Sequence, residues 1–380
     1  MPFAMHTDVR FVGDLIGINK GAYGFVFEQK PFLYPPLAAF TAVLFQQILR
    51  PLIAPFFQWP YLGAEARILV LSQPYLFRVL FAFKSFHLVF DFLILYFLAW
   101  MFYIESDRIR NILLFWLFNP IVIYNTYLHG QIDLMPLFFI VLGLYFAKRG
   151  RAAWAIFWLG IGACYKPFPL FFLPPAILIL DKTWRGRLKL SLLGFGPFIL
   201  SMLPYMGRYT RSISNYPQLF FKLGYDLGFG AQVYIFFVLY AVLLWYIEHN
   251  KAHTFAELWR YCFIILLFYY PMSYFDLHYY AWIIPFAAFY LAEQPQVWPI
   301  YTFAFLGLLA CLTPTPLARY FAPISSEYFL RLPSLLEALT PYLPVLFIVN
   351  VLRSFLVGTF LWLAWRIFQG LRTMRPVAEG

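Results

Sequence analysis

Residues 119–133 read NPIVIYNTYLHGQID, and an apolar hairpin follows them as far as Lys166-Pro167. The basic turn Lys148-Arg149-Gly150-Arg151 divides that hairpin. Polar side chains are costly in hydrocarbon, and within membrane segments they survive mainly by facing a protein interior or a water-filled cavity. If the basic turn lies on one side of a membrane, His129, Asp133 and Lys166 return together to the other side. The stretch therefore predicts a polar site at one face of a membrane bundle.

The composition supports a membrane setting for this site. Of the 380 residues, 63% are hydrophobic and only 12% are charged, whereas soluble domains carry about 25% charged residues. Repeated apolar runs of about 17–25 residues have the length that crosses a bilayer as a helix. We predict about eleven spans, several of them shorter than this length: 78–104, 111–128, 132–147, 152–165, 168–181, 188–205, 231–247, 259–272, 279–292, 296–312 and 341–368. The predicted fold class is an all-α polytopic integral membrane protein with an N-terminal extracytoplasmic loop.

The chain is expected to form a single membrane-embedded domain over residues 1–380. Residues 1–77 would be an outer loop with an interfacial or re-entrant segment, 78–368 the transmembrane bundle and 369–380 a cytoplasmic tail. The apolar run 33–57 contains several prolines, which kink helices. We therefore expect this run to dip into the outer face and return.

The net charge of +11 has a topological explanation. Much of the excess lies in short turns between apolar runs, and cytoplasmic turns carry an excess of Lys and Arg. We therefore assign the basic turns to the cytoplasm and expect no nucleic-acid partner. The candidate residues fall in the opposite turns. The site is thus expected at the extracytoplasmic or luminal face of a bacterial plasma membrane or an ER-type membrane.

Four carboxylates are candidates on this face. Asp8 lies in a polar loop, where an ionised carboxylate can accept the proton of a sugar hydroxyl, as general-base catalysis requires. Its alternative is a solvated loop residue. Asp14 and Glu28 are weaker candidates for the same role. Asp133 stands at a helix start, where capping of backbone amides is an equal alternative to a functional role.

Cationic side chains on the same face are candidates for holding a phosphate. An ammonium suits a phosphate as a point charge, which makes Lys166 a candidate, with snorkelling to the interface as its alternative. Arg208 and Arg211 are candidates too, or solvated loop residues. His278 can donate a hydrogen bond to a phosphate or a sugar, or can be an ordinary interfacial histidine. The remaining candidates are His129 and Gln131 for donor binding, with Tyr34 and Tyr279 as further residues.

Other sequence signals narrow the chemistry. Lys84 and Asp91 lie two helical turns apart on one face, so we expect an intrahelix or interhelix polar contact. The sequence contains no nucleotide-binding fingerprint and no HExxH or CxxC pattern. We predict no cofactor and no metal ligand, and the sequence leaves the use of a divalent metal open. The substrate itself would have to be activated, as a lipid phosphate-sugar is.

Four sequence features occur in a fixed order over about residues 7–290. They are Thr7-Asp8 before Tyr34-Pro35-Pro36-Leu37; Lys84 with Asp91; Asn119-Pro120 before His129-Gly130-Gln131-Ile132-Asp133; and Gly160, Gly162 and Lys166-Pro167 with His278-Tyr279 downstream. In this order and spacing the chain resembles the membrane glycosyltransferases of the GT-C class. It is most similar to the polyprenol-phosphate-mannose-dependent mannosyltransferases, which include the catalytic subunit of GPI mannosyltransferase I and bacterial relatives.

The resemblance implies a reaction and roles for some residues. The family transfers a sugar, often mannose, from a polyprenyl or dolichyl phosphate to a glycolipid or glycan acceptor at the outer or luminal face, with inversion. Asp8 would be the base, and Lys166 and His278 would hold the lipid phosphate. Family members usually begin with a membrane helix before the acidic loop, whereas Met1 lies seven residues before Asp8. A start further upstream, a partner that supplies the helix, or a degenerate relative would each account for this departure.

Two other functions are weighed against the enzyme. A transporter or flippase of lipid-linked saccharides would distribute polar residues through the membrane thickness, often with internal repeats. The polar residues here gather at one face, and we identify no repeat. A non-catalytic subunit of a membrane complex is the other alternative, and it is compatible with the departure at the N-terminus.

Overall fold

The computed structural model describes residues 35–53, 76–102, 106–206, 223–228, 231–250, 254–272, 277–297, 321, 324–329 and 331–373. This part of the chain is mostly helical, as the apolar runs predict. The α-helices are α1 (Pro36–Ile53), α2 (Leu76–Met101), α3 (Ser106–Leu117), α4 (Pro120–Ile123), α5 (Leu134–Lys148), α6 (Ala152–Ala163), α7 (Leu173–Leu180), α8 (Trp184–Met202), α9 (Ile235–His249), α10 (Phe255–Met272), α11 (Ile284–Glu293), α12 (Ser326–Phe329), α13 (Leu335–Leu339) and α14 (Val345–Thr373).

Shorter elements complete the described fold. A π-helix (Tyr124–His129) continues α4, and 3-10 helices cover Phe168–Phe172, Leu203–Tyr205, Leu277–Trp282 and Pro295–Val297. The strands β1 (Gly224–Gly228) and β2 (Ala231–Tyr234) form one antiparallel hairpin, with Tyr225 opposite Val233. The strand β1 lies between the predicted spans 188–205 and 231–247, whereas β2 occupies the first four residues of the predicted span 231–247.

Among the described residues, three helices are long and apolar enough to cross a membrane: Leu80–Met101, Trp184–Tyr205 and Val345–Arg372. A fourth span results if Asp107–Leu117 and Pro120–His129, which meet at a 43° bend, count as one. Shorter apolar helices of 10 to 15 residues, such as α5, α6, α9 and α11, account for other predicted spans. These helices are shorter than the roughly 20 residues of a full crossing.

The bundle is centred on α5, which packs against α6 and α2, while α6 also packs against α8. Glycine allows the closest of these approaches. A Cβ on Gly160 would lie 2.2 Å from the carbonyl oxygen of Gly194, so the α6 and α8 backbones meet where neither residue has a side chain. A Cβ on Gly143 would lie 3.0 Å from the carbonyl oxygen of Ala155 in α6.

The helix α1 covers most of the run 33–57, which the sequence predicts to dip into the outer face of the membrane and return. Residues 36–53 form one continuous α-helix that contains Pro51, and the chain does not turn back within it. The helix packs against α2. Its Thr41 hydroxyl lies 2.9 Å from the hydroxyl of Tyr165, next to Lys166.

Basic residues and the predicted polar site lie at opposite ends of the bundle. Lys148, at the end of α5, donates to the carbonyl of Met101 at the end of α2, with an N–O distance of 2.7 Å. Nearby, Arg108 and Arg260 both bind Glu293. Since a helix rises about 1.5 Å per residue, the ends of the 15-residue helix α5 are about 20 Å apart. The basic turn and the polar residues therefore lie at opposite ends of α5.

Candidate active site

A buried ion pair forms the centre of the candidate site. The Asp133 Oδ1 atom accepts hydrogen bonds from Lys166 Nζ at 2.6 Å and from the indole nitrogen of Trp282 at 2.7 Å. The side chains of Asp133 and Lys166 are only 0% and 6% exposed. The contact joins the start of α5, the turn after α6 and the 3-10 helix Leu277–Trp282. It thus connects three segments that are distant in sequence.

This geometry tests the non-functional alternative for each of these two charged residues. Asp133 occupies the position before α5, but among the described residues its carboxylate makes no capping hydrogen bond. Lys166 is buried against a carboxylate, so it does not snorkel to the interface. Capping and snorkelling are therefore both wrong for these two residues.

Aromatic rings surround the Lys166 ammonium. Its nitrogen lies 4.8 Å from the centre of the Tyr279 ring and 5.1 Å from that of Trp282. Phe168 stacks on Trp282, with ring centres 3.6 Å apart and planes inclined by 5°. A cation beside such rings gains cation–π stabilisation. The aromatic residues therefore fix both the ammonium and the indole that binds Asp133.

The motif Asn119-Pro120 begins the segment that leads to the site. Asn119 caps α4 by accepting a hydrogen bond from the Ile121 amide at 3.0 Å, and proline is favoured at the first helical position. The helix then widens into the π-helix and ends at Gly130, whose φ of 77° favours glycine. The carbonyl of Asn125 accepts from the amides of Gly130 and Gln131, at 2.9 and 3.2 Å. A tight turn thus precedes Asp133.

His129 and Gln131 lie on this turn, and both are buried. His129 Nδ1 lies 3.1 Å from the Tyr124 hydroxyl, and His129 Nε2 lies 3.4 Å from Gln131 Nε2. The structure therefore places both predicted residues within the same turn, a few residues from Asp133.

Polar residues of α2 hold the π-helix. The Lys84 ammonium donates to the carbonyls of Tyr127 and Leu128, at 3.1 and 3.0 Å. Asp91 accepts a hydrogen bond from the Trp116 indole at 2.6 Å and another from the Tyr127 hydroxyl. Lys84 and Asp91 thus make contacts between helices, which confirms the interhelix interpretation.

The sequence analysis missed two residues of the site. His87 is fully buried and interacts electrostatically with Lys84, the Gly130 backbone and Asp133. Its position, three residues after Lys84 and four before Asp91, places it on the same helix face, and this spacing could have identified it. Trp282 gave no comparable signal, because an indole at the start of an apolar segment is common at membrane interfaces.

The structure describes only some of the predicted site residues. It brings His129, Gln131, Asp133, Lys166 and Tyr279 to one end of the bundle. The backbone of His278 lies in the 3-10 helix beside them, but its side chain lies outside the description. The other candidates fall outside the described residues: Asp8, Asp14, Glu28, Tyr34, Arg208 and Arg211. Among the residues that are described, no three His, Cys, Asp or Glu side chains lie together as metal ligands would.

Comparison with known proteins gives the family. No curated protein matches the chain. Residues 32–271, more than half of the chain, match glycosyltransferase family 87. This region contains α2, the turn at Gly130 and the Asp133–Lys166 pair, and it ends before Trp282. The match confirms a membrane glycosyltransferase. It does not confirm the resemblance to the polyprenol-phosphate-mannose-dependent mannosyltransferases. The chain belongs to glycosyltransferase family 87.

Proposed function

We propose that the protein transfers a hexose, mannose in the first instance, from a polyprenyl- or dolichyl-phosphate donor to a lipid or glycan acceptor. The observation that carries this proposal is the buried Asp133–Lys166–Trp282 contact, far from the basic end of the bundle, in a chain of a glycosyltransferase family. Polar groups are costly in a membrane helix bundle and commonly mark substrate sites.

A lipid-linked donor suits the surroundings of this site. The sequence has no nucleotide-binding fingerprint, so a nucleotide-sugar has no evident place to bind. Large apolar side chains of α2 are exposed on the bundle, including Phe81, Phe92 and Trp100. A prenyl chain in the bilayer can lie along such a surface. We place the site at the extracytoplasmic or luminal face of a multi-pass, GT-C-like bundle of about eleven spans.

The proposed reaction is a direct displacement. A carboxylate, which we assign to Asp8, takes the proton of the acceptor hydroxyl as that oxygen attacks the anomeric carbon of the sugar. The bond between this carbon and the phosphate oxygen breaks, and the configuration inverts. The bonding electrons leave with the phosphate oxygen, so the lipid phosphate gains a second negative charge, which needs electrostatic stabilisation more than a proton.

Several cations are proposed to hold the lipid phosphate: Lys166, Arg208, Arg211 and His278. Asp133 already neutralises Lys166 in the absence of substrate. A phosphate would therefore share the ammonium with Asp133. We assign Asp133 and Trp282 the task of holding Lys166 in place, because a bonded lysine has fewer rotamers to lose on binding.

The test is transfer by the purified protein in detergent or liposomes. A short polyprenyl-phosphate carrying labelled mannose serves as donor and membrane glycolipid as acceptor, with the glucose-linked donor and nucleotide-mannose as comparisons. We expect transfer from a lipid-linked donor and none from nucleotide-mannose. The opposite preference would overturn the donor class. Movement of the donor across liposomes without transfer would favour a flippase.

Two variants in the same loop test the base. Asp8→Asn should lower transfer by about 10²–10⁴-fold, the usual contribution of a general base. Asp14→Asn, which removes a carboxylate six residues away, should retain most of the rate. Protein levels must be equal in both preparations. Unchanged transfer in Asp8→Asn would remove Asp8 from the mechanism.

A further inference from the structure

Buried polar atoms without a hydrogen-bond partner gather around the turn at Gly130. Among the described residues these include both polar side-chain atoms of Asn125, the Thr126 hydroxyl and Asp133 Oδ2. His87 lies beside them, against the Gly130 backbone, and all four side chains are 0% exposed. We call these four residues the turn cluster.

The members of the turn cluster lie on α2, on the π-helix and at the residue before α5. His87, on α2, forms a hydrogen bond with the Gly130 backbone and interacts electrostatically with Asp133. Asn125 lies in the π-helix, and its carbonyl binds the Gly130 amide at 2.9 Å. Thr126 is the next residue of the same π-helix. π-Helices are rare and recur at functional sites, so this turn is a reasonable place for a ligand.

The unpaired atoms need an explanation, because more than about 90% of buried polar groups in proteins have a partner. Other polar groups near this turn are paired: Lys84 with two carbonyls, Asp91 with Trp116 and Tyr127. Poor packing of polar groups in general therefore does not account for the turn cluster. A ligand with matching donors and acceptors would satisfy these atoms.

The chemistry of the cluster indicates a neutral ligand with hydroxyl groups. The charges beside it balance, with Lys84 and Lys166 against Asp91 and Asp133. The phosphate proposed above lies with Lys166 on the Oδ1 side of Asp133, whereas a phosphate within the turn cluster would be repelled by Oδ2. A cation there would meet two lysines. An amide, a hydroxyl, an imidazole and a carboxylate oxygen together offer donors and acceptors, and a sugar hydroxyl can both donate and accept.

We infer that the turn cluster binds the hydroxyl groups of a sugar ring. The inference rests on the proposed function and deepens it, because it places the sugar beside Asp133 Oδ2. Lys166 and the Trp282 indole bind the other carboxylate oxygen, Oδ1. The partly exposed ring of Tyr279, 4.8 Å from the Lys166 nitrogen, offers an apolar face at the border of this region.

The first experiment pairs protein variants with altered sugars. Lipid-linked donors and acceptors that each lack one hydroxyl are assayed with the wild type and with Thr126→Val and Asn125→Leu, which keep the side-chain volume nearly constant. For at least one sugar position, loss of the hydroxyl should lower wild-type kcat/KM about tenfold or more, since a buried polar group is left unpaired. In the variant that lacks the side-chain group bound to this hydroxyl, removal of the same hydroxyl from the sugar should lower kcat/KM little further. Equal losses in all three proteins would overturn the inference.

The second experiment measures thermal stability without substrate. Thr126→Val removes an unpaired buried hydroxyl, so Tm should stay level or rise. The matched control is Thr41→Val, because the Thr41 hydroxyl is bonded to Tyr165 at 2.9 Å, and its loss should lower Tm. A fall in Tm for Thr126→Val, with all deoxy sugars transferred equally well, would mean that ordered water fills the cluster, and the inference would fail.

Failure of the proposed function gives a different pattern. A wild type that transfers no sugar from any lipid-linked donor overturns the proposed function, and this inference with it. A wild type that transfers normally but does not distinguish deoxy sugars through these residues overturns the inference alone.

Discussion

Asp133 and Lys166 lie 33 residues apart in the chain and meet through a 2.6 Å contact between Oδ1 and Nζ, almost fully shielded from solvent. The intervening hairpin of α5 and α6 makes this meeting possible, since α5 leads away from the site and α6 returns to it. The close approach of Gly143 to the α6 backbone keeps these two helices together.

Lys166→Met should leave the Asp133 carboxylate buried without its cation. Breaking a buried pair from one side costs about 3–5 kcal/mol in the free energy of unfolding. The double variant Asp133→Asn with Lys166→Met should recover part of that loss. Unfolding by heat or denaturant in detergent compares the wild type, the single variant and the double variant.

Arg187→Met provides the comparison, because its pair with Glu248 is partly exposed and should contribute about 1 kcal/mol or less. Similar losses at both pairs would contradict the prediction.

Lys84→Met should reduce transfer through the position of the π-helix. The ammonium holds the carbonyls of Tyr127 and Leu128, and misplacement of a site by about 1 Å can cost about 100-fold in rate. We expect most of the effect in kcat, since the substituted side chain does not itself contact substrate in this proposal. The measurement is the steady-state kinetics of sugar transfer.

Lys148→Met is the matched control for this variant. Lys148 also donates to a backbone carbonyl, that of Met101 at 2.7 Å, but at the opposite end of the bundle. Its variant should transfer sugar at close to the wild-type rate. If both variants lost activity equally, Lys84 would have only a general structural role.

Gly160→Ala should destabilise the protein, because the added Cβ would lie 2.2 Å from the Gly194 carbonyl oxygen. Separating the α6 and α8 backbones to admit it should cost about 1–3 kcal/mol of unfolding free energy. Gly196→Ala, on α8, is the control, since a Cβ there meets no described atom within 4 Å. It should be neutral or stabilise by up to about 1 kcal/mol. Melting temperatures in detergent compare the two, and equal values would contradict the close contact.

Asp181 should make the start of α8 sensitive to acid. Its carboxylate accepts hydrogen bonds from the Thr183 amide and hydroxyl, both at 2.8 Å, and these bonds hold the pKa of that carboxyl below its ordinary value. A lowered folded-state pKa means that the stabilisation is complete above the unfolded pKa and disappears as pH falls through the folded one. We therefore expect the helix start to loosen only below the ordinary aspartate range, about pH 3.9.

Hydrogen exchange of amides 183–187, corrected for the intrinsic rate at each pH, measures this loosening. Asp181→Asn has no group that titrates there, so its protection should be independent of pH over the same interval. An identical pH profile in both proteins would show that another group is responsible.

Sequence patterns were sufficient for the larger features of this molecule. The lengths of α5 and α6 and the basic turn between them predicted that Asp133 and Lys166 lie at the same end. The prediction succeeded because both are regular helices, and a short turn between two such helices brings the chain back to its starting end. The contact of Asp91 with neighbouring helices followed from the cost of a carboxylate in an apolar segment.

Other features depend on tertiary geometry that sequence patterns do not carry. The π-helix adds one residue to a turn without a distinctive composition, so α4 and its continuation read as one α-helix. The indole of Trp282 binds Asp133 and stacks on Phe168, a contact across 114 residues of chain. The spacing of His87 from Lys84 and Asp91 could have predicted its place in the site. Its neighbours in the sequence, Phe86 and Leu88, are apolar, so the histidine is easily taken for part of an apolar segment.

The π-helix has a consequence for how this protein tolerates changes in length. Deleting one of its six residues would allow the segment to close into ordinary α-helix, which covers a similar rotation with one residue fewer. The turn at Gly130 would then keep nearly its present direction, while the side chains within the shortened segment would change places. Such a deletion should therefore act through displaced side chains such as Asn125 and Thr126, whereas point substitutions at Leu128, which offers its carbonyl to Lys84, should be mild.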